Sequence, residues 1–251
     1  MTKLKSTNFS LFSSCSLHLL AMAFMLSDHL WATLFPYLDI LTCIGRVAFP
    51  IFAFMIVEGY FYTHDLKKYI HRLFLFALLS EIPFDLVAGG TIFYPFHQNV
   101  LWTYLIGLLL ISWIERVKKR GTPWLTLLVI VGTLVLGYIL GTITMVDFYS
   151  AGILTVLVFY LFRGRKLWHF AAQAACLCYI NIHLLGGFCY PISILGHPWD
   201  FPQQGLAVLA LIPIWLYNGR QGYHKKWFRV VCYASYPVHL LILYVLWQMA
   251  T

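Results

Sequence analysis

About nine stretches of this chain, at 15–38, 40–62, 69–88, 99–115, 123–141, 146–162, 167–185, 204–218 and 228–248, are apolar over most of their length. A hydrocarbon layer about 30 Å thick is crossed by about 20 helical residues, each rising about 1.5 Å. Within that layer every backbone N–H and C=O has to find its partner inside the protein, so runs of this length predict helices. Only 10% of the residues are Asp, Glu, Lys or Arg, against about 25% in soluble domains. The expected fold is all-α: a polytopic transmembrane helical bundle of about nine spans, with residues 1–251 forming a single integral-membrane domain in the lipid bilayer. The first run follows Lys3 and Lys5 but is longer than a signal-peptide core and contains Asp28 and His29, so it reads as a retained span.

A formal charge of +8 invites a nucleic-acid reading, and the positions of the charges argue against it. With a cytoplasmic N-terminus, sixteen of the seventeen Lys and Arg residues fall on the inner side. They sit in the N-terminal segment and in the loops around Lys67, Lys68 and Arg72, Arg116–Arg120, Arg163–Lys166 and Arg220–Arg229. That is the positive-inside pattern of a membrane protein, so the basic balance sets topology and no nucleic-acid partner is expected. Arg46 is the exception.

Depth along each span separates the polar residues. At about 1.5 Å per residue, His29 falls in the outer half of the first span and Arg46 lies about 8 Å below the outer face. Glu81 and Asp85, four residues apart on one helix face, lie about 18 and 24 Å from the inner side. Asn99, Asp147 and His183 sit at span ends on the same outer side. Removing such groups from water requires partners, so Arg46 is expected to meet Glu81 or Asp85. His29 and Asp28 point about 100° apart as consecutive helical residues, so a carboxylate on another helix, Asp85 or Asp147, is the expected partner of the imidazole.

Glu58, about 18 Å along the axis from Arg46, reads either as a salt-bridged helix end or as part of an inner entrance. His239 lies about 16 Å into the last span, two residues after Pro237, which is expected to open the helix locally; Pro50 and Pro83 do the same in earlier spans. Cys43 and Cys189 share the outer side, leaving a disulfide open beside the alternative of free thiols. There is no HExxH pair, Walker loop, GxGxxG turn or GxSxG elbow, and no metal site is expected.

Several blocks resemble the TraX family: "IGRVAFPIFAFMIVEGYFYTHDLKKYIHRLFLFALLSEIPFDL" (44–86), "QNVLWTYLIGLLLI" (98–111), "LYNGRQG" (216–222) and "YPVHLLILYVL" (236–246), with "SDHL" at 27–30. That family of inner-membrane proteins is named for an acetyltransferase acting on the N-terminus of conjugative pilin. It is similar to a wider superfamily of transmembrane acyltransferases. The resemblance implies a multi-pass protein of the bacterial cytoplasmic membrane that takes an acetyl or other acyl group from acyl-CoA. The acceptor would be an amine or hydroxyl on a pilin-like peptide or another envelope molecule.

The same resemblance implies His29 as the membrane histidine, with Asp28, Arg46, Glu81 and Asp85 in the catalytic layer. It implies Glu58, Asn99, Tyr236 and His239 as substrate-side residues. Arg46 or a polar neighbour would stabilise the oxyanion, an effect worth a few kcal/mol. Lys67, Lys68 and Arg72, with the 116–120 loop, are candidates to hold the CoA phosphates. Asp147 and Tyr149 sit in "DFYSAGIL", a departure from the family pattern. Two other readings fit the buried charges: a proton-coupled transporter, and a noncatalytic assembly factor for a surface structure. Paired halves with matching broken helices, common in transporters, are not found in the sequence.

Overall fold

The computed structural model describes residues 11–194, 196–223 and 225–250. Lys3, Lys5 and His224, and the side chains of Lys226 and Arg229, lie outside the described residues. The chain runs through α1 (Ser14–Thr33), α2 (Asp39–Gly45), α3 (Ala48–Tyr62), α4 (Leu66–Gly89), α5 (Val100–Lys118), α6 (Pro123–Ile143), α7 (Tyr149–Leu161) and α8 (Leu167–Cys178). A π-helical turn at Tyr179–Leu185, a hairpin of β1 (Cys189–Ile194) and β2 (His197–Pro202), a 3-10 segment at Gln203–Ala210, and α9 (Leu211–Trp215) lead to α10 (Lys226–Ala250).

Among the described residues, four helical stretches are long and apolar enough to cross a membrane: Asp39–Tyr62, Val100–Lys118, Pro123–Ile143 and Val230–Ala250. The chain is a mostly helical membrane protein. The all-α expectation needs one correction, because β1 and β2 pair antiparallel from Cys189↔Pro202 to Ile194↔His197. Pro191, Pro198 and Pro202 with Gly186, Gly187 and Gly196 punctuate that stretch, and such residues end helices and favour turns. The expected span at 204–218 is likewise a 3-10 segment followed by the short α9.

Local chemistry sets the helix ends. Ser13 caps α1 in a reciprocal box with Ser16, Asp65 caps α4 through the Lys68 N–H, and Asn99 caps α5 through the Leu101 N–H. Gly90 closes α4 with φ 66°, a backbone state that glycine enters without steric cost. The second expected span is interrupted at Arg46–Val47, between α2 and α3. Pro50 has no N–H for the carbonyl four residues earlier, that of Arg46, and its ring crowds that carbonyl. By contrast α4 runs through Pro83 and α10 through Pro237.

The core lies along α3, α5 and α7, where Ile51, Val57, Leu108, Ile111, Ile153 and Leu157 are fully buried. The apolar window of Asp39–Tyr62 is 56% buried and that of Val230–Ala250 only 17%, so α10 belongs to the periphery. The described basic residues other than Arg46 gather at one end. There Tyr62 donates to the Gly219 carbonyl at 2.9 Å, Ser14 N–H to Arg220 at 2.9 Å, and Tyr160 to Glu115 at 2.9 Å. The opposite end is closed by the Gln98–Val146 bridge and by the β-hairpin over α2.

Candidate active site

Three polar assemblies occupy the half of the bundle away from the basic end. In the first, α1 and α2 approach so closely at Gly45 that an added Cβ there would lie 2.4 Å from the Asp28 Cβ. This brings Asp28 against Arg46, whose Nη2 donates to the Asp28 carboxylate. Thr42, one turn before Arg46, donates to Asp28 at 2.8 Å and accepts from Arg46 at 3.0 Å. Arg46 Nη1 also donates to Gln204 at 3.2 Å, and Gln204 donates onward to Asn181 at 3.1 Å.

The second assembly joins α1 to α10. His29 Nδ1 lies 2.5 Å from His239 Nε2, and His239 Nδ1 lies 2.6 Å from the Ser235 carbonyl. Tyr236 packs beside both rings, with centroids 6.1 Å from His29 and 5.8 Å from His239. The third assembly lies on α4, α5 and the loop between them. Asn99 and Trp102 both donate to Glu81 Oε2, the latter at 2.7 Å, while Asp85 Oδ2 accepts the Tyr94 N–H at 3.0 Å. Glu81 Oε1 and Asp85 Oδ1 are buried without a hydrogen-bond partner. At its rim His97 Nε2 sits 3.4 Å from Asp147, and that carboxylate holds the imidazole pKa above its ordinary value.

Two expected pairings are corrected by this geometry. Arg46 meets Asp28 rather than Glu81 or Asp85, because the tight α1–α2 approach at Gly45 places the nearest carboxylate on α1. Neither Asp85 nor Asp147 is the hydrogen-bond partner of His29; they meet Tyr94 and His97, and the partner is His239. Counted from the basic side, His29 lies about 20 Å into the first span and His239 about 16 Å into the last, within one helical turn of each other. That signal is present in the sequence, but nothing in the sequence says that the first and last membrane helices are neighbours.

Glu58 forms a salt bridge, with Arg163 Nε 2.6 Å and Nη2 3.3 Å from its two oxygens. Arg163, Thr42, Gln204, Asn181 and Trp102 carry this polar structure and were not among the sequence candidates. Thr42 and Trp102 were findable, since they stand four and three residues from Arg46 and Asn99 on their helices. Cys43 and Cys189 are free; Cys43 Sγ contacts the Tyr190 hydroxyl at 3.3 Å. His183 is exposed near Tyr179.

A cavity of about 490 Å³ runs from the basic end to Tyr236; neither His29 nor His239 lines it. Thr63, His64, Lys68 and Arg72 line one part, and the Arg72 Nε is buried there without a hydrogen-bond partner. Met25, Tyr104, Ser235 and Tyr236 line the other part, and of these Tyr236 packs against both histidine rings. Glu58 also lines it, whereas Lys67 is exposed outside it. Among the described residues no three His, Cys, Asp or Glu side chains are grouped to hold a metal ion.

Residues 13–247 match the family profile described as TraX protein. The chain belongs to the TraX family. This TraX-family chain is also 26% identical, over 132 residues, to the probable fimbrial assembly protein FimC, serogroup H1, of Dichelobacter nodosus. That alignment covers 47% of this chain and 51% of the relative, so the chain spans about half the relative's length. No solved structure matches it. The family match contains all three polar assemblies and the described cavity lining.

Proposed function

We propose that this TraX-family protein is a membrane-embedded acyltransferase, moving an acetyl or other acyl group from acyl-CoA to an amine or hydroxyl acceptor. In this reading the protein crosses the bacterial inner membrane about nine times, with its N-terminus and basic end in the cytoplasm. The observation that carries it is the cavity from the Lys68–Arg72 region to Tyr236, beside His29 and His239. Lys68 and Arg72 would meet the donor's phosphates, and the acyl-bearing arm would follow the apolar lining of Phe52, Met55 and Leu101.

The chemistry uses the His29 imidazole, which packs against Tyr236 of the cavity wall. The acceptor nitrogen or oxygen forms a bond to the thioester carbonyl carbon while its proton passes to His29, the general base. Collapse of the tetrahedral intermediate breaks the C–S bond, and the departing thiolate takes that proton back. Arg46, already engaged by Asp28, Thr42 and Gln204, supports the site as a fixed positive charge rather than as a free oxyanion donor.

A second reading, a noncatalytic assembly factor, draws on the relative's printed name. A transporter would use the same buried groups as a proton path. Purified protein in detergent, given acetyl-CoA and a peptide bearing free amine and hydroxyl groups, separates these readings. The expected result is slow acetyl transfer, its loss in His29→Ala with unchanged expression, and a higher Tm with CoA. Full transfer by His29→Ala would remove the base assignment. No transfer and no CoA shift would leave the assembly reading, and solute uptake by liposomes would favour transport.

A further inference from the structure

The histidine pair has a direction. His239 Nδ1 lies 2.6 Å from the Ser235 carbonyl oxygen, one turn earlier on α10. A carbonyl oxygen only accepts, so this Nδ1 carries the proton. A neutral imidazole protonated at Nδ1 offers a bare lone pair at Nε2, and that atom lies 2.5 Å from His29 Nδ1. The His29 proton therefore sits on Nδ1 and points at His239, leaving His29 Nε2 as the bare nitrogen. The two ring planes are only 13° apart, which lets an in-plane N–H meet an in-plane lone pair. Tyr236, packed beside both rings, restricts their rotation.

We infer that His239 is the positioning residue of this site, passing the polarity of the Ser235 carbonyl through its own ring to hold His29 in the Nδ1–H tautomer with Nε2 free to take a proton. The orienting group is uncharged, which suits its surroundings. A carboxylate in that place would need its own counter-ion to remain ionised in a membrane interior. The carboxylates of this half of the bundle have other partners: Asp28 holds Arg46, Asp85 the Tyr94 N–H, and Asp147 approaches His97. When His29 Nε2 receives a proton, the Nδ1–H bond to His239 strengthens, so the orienting contact favours the charged form. The catalytic use of Nε2 rests on the acyltransferase reading; the tautomer assignment does not.

The test uses full-length protein in detergent with ¹⁵N-labelled histidine, at a pH of about 8 where ordinary imidazoles are neutral. Signals from His29 and His239 are assigned by loss in His29→Gln and His239→Gln. Both rings are expected in the Nδ1–H form, the less common tautomer in water. In His239→Gln the amide oxygen can accept from His29 Nδ1, so His29 keeps its tautomer and most of kcat is recovered. In His239→Asn the shorter side chain cannot reach, His29 shifts toward Nε2–H, and kcat falls by about 100-fold or more with KM little changed.

An Nε2–H signal from His29 in the wild-type protein overturns the assignment. So does a His239→Asn variant with wild-type tautomer and kcat. Should the wild type transfer no acyl group while both rings show Nδ1–H, the acyltransferase reading fails and the relay stands.

Discussion

Two buried carboxylate clusters in this bundle are built on opposite principles. Near the basic end, Glu58 gives both oxygens to Arg163, whose guanidinium also lies 4.1 Å from the centre of the Phe61 ring. In the other half, Glu81 and Asp85 each have one oxygen engaged and one buried without a hydrogen-bond partner. The first cluster is closed: its carboxylate already has a bidentate cationic partner. The second retains acceptor capacity. A buried charge in a membrane helix is thus not a functional signal by itself. Saturation of its lone pairs distinguishes a structural tie from a group with bonding left to offer.

The largest effect is expected where the closed cluster is broken. Arg163→Met leaves Glu58 buried without its partner and should cost about 3–5 kcal/mol of stability. Unfolding in detergent measures this, and the double variant Glu58→Leu/Arg163→Met should recover much of the loss. Wild-type stability of the single variant would show that the pair is not a structural tie. In the open cluster, neutralising Asp85 removes a charge that has incomplete solvation, so Asp85→Asn should change stability by less than about 1 kcal/mol, in the stabilising direction. A loss as large as that of Arg163→Met would mean that Asp85 is as fully paired as Glu58.

The smallest effect concerns the rim of the open cluster, in the loop before α5. Asp147 raises the pKa of His97 above 6.5. The protonated imidazole is therefore better stabilised in the folded protein than in the unfolded chain. Its contribution is full below about 6.5 and is lost as pH rises through the elevated folded pKa. We expect Tm to decline across that window by an amount worth less than about 1 kcal/mol, and His97→Phe to flatten the decline. An unchanged slope in His97→Phe would place the titration elsewhere.

Much of the fold was legible because its signals are local. Apolar runs marked the helices, Asn99 marked the start of α5, and Pro50 marked the interruption beside Arg46, whereas the Asp65 cap of α4 lay in an expected loop. The hairpin at Cys189–Pro202 was missed: its pairing partners come together across a turn, and its short strands lack a long alternating pattern. Within the site, His29, Arg46, Glu81 and Asp85 stood out as ionisable residues in apolar surroundings. Their partners did not, because Arg46 found Asp28 through a close approach at Gly45 and His29 found His239 across 210 positions of chain.

The sequence by itself determined that this is a helical membrane protein of the TraX family, with its basic residues segregated from a polar layer. Those properties depend on hydropathy, charge and motif, which are written residue by residue along each segment. Only the tertiary structure decided which polar groups meet, which lone pairs remain open, and where the cavity runs. A helix turns about 100° per residue, so one step changes the face a side chain presents. No local pattern records which neighbouring helix stands opposite that face.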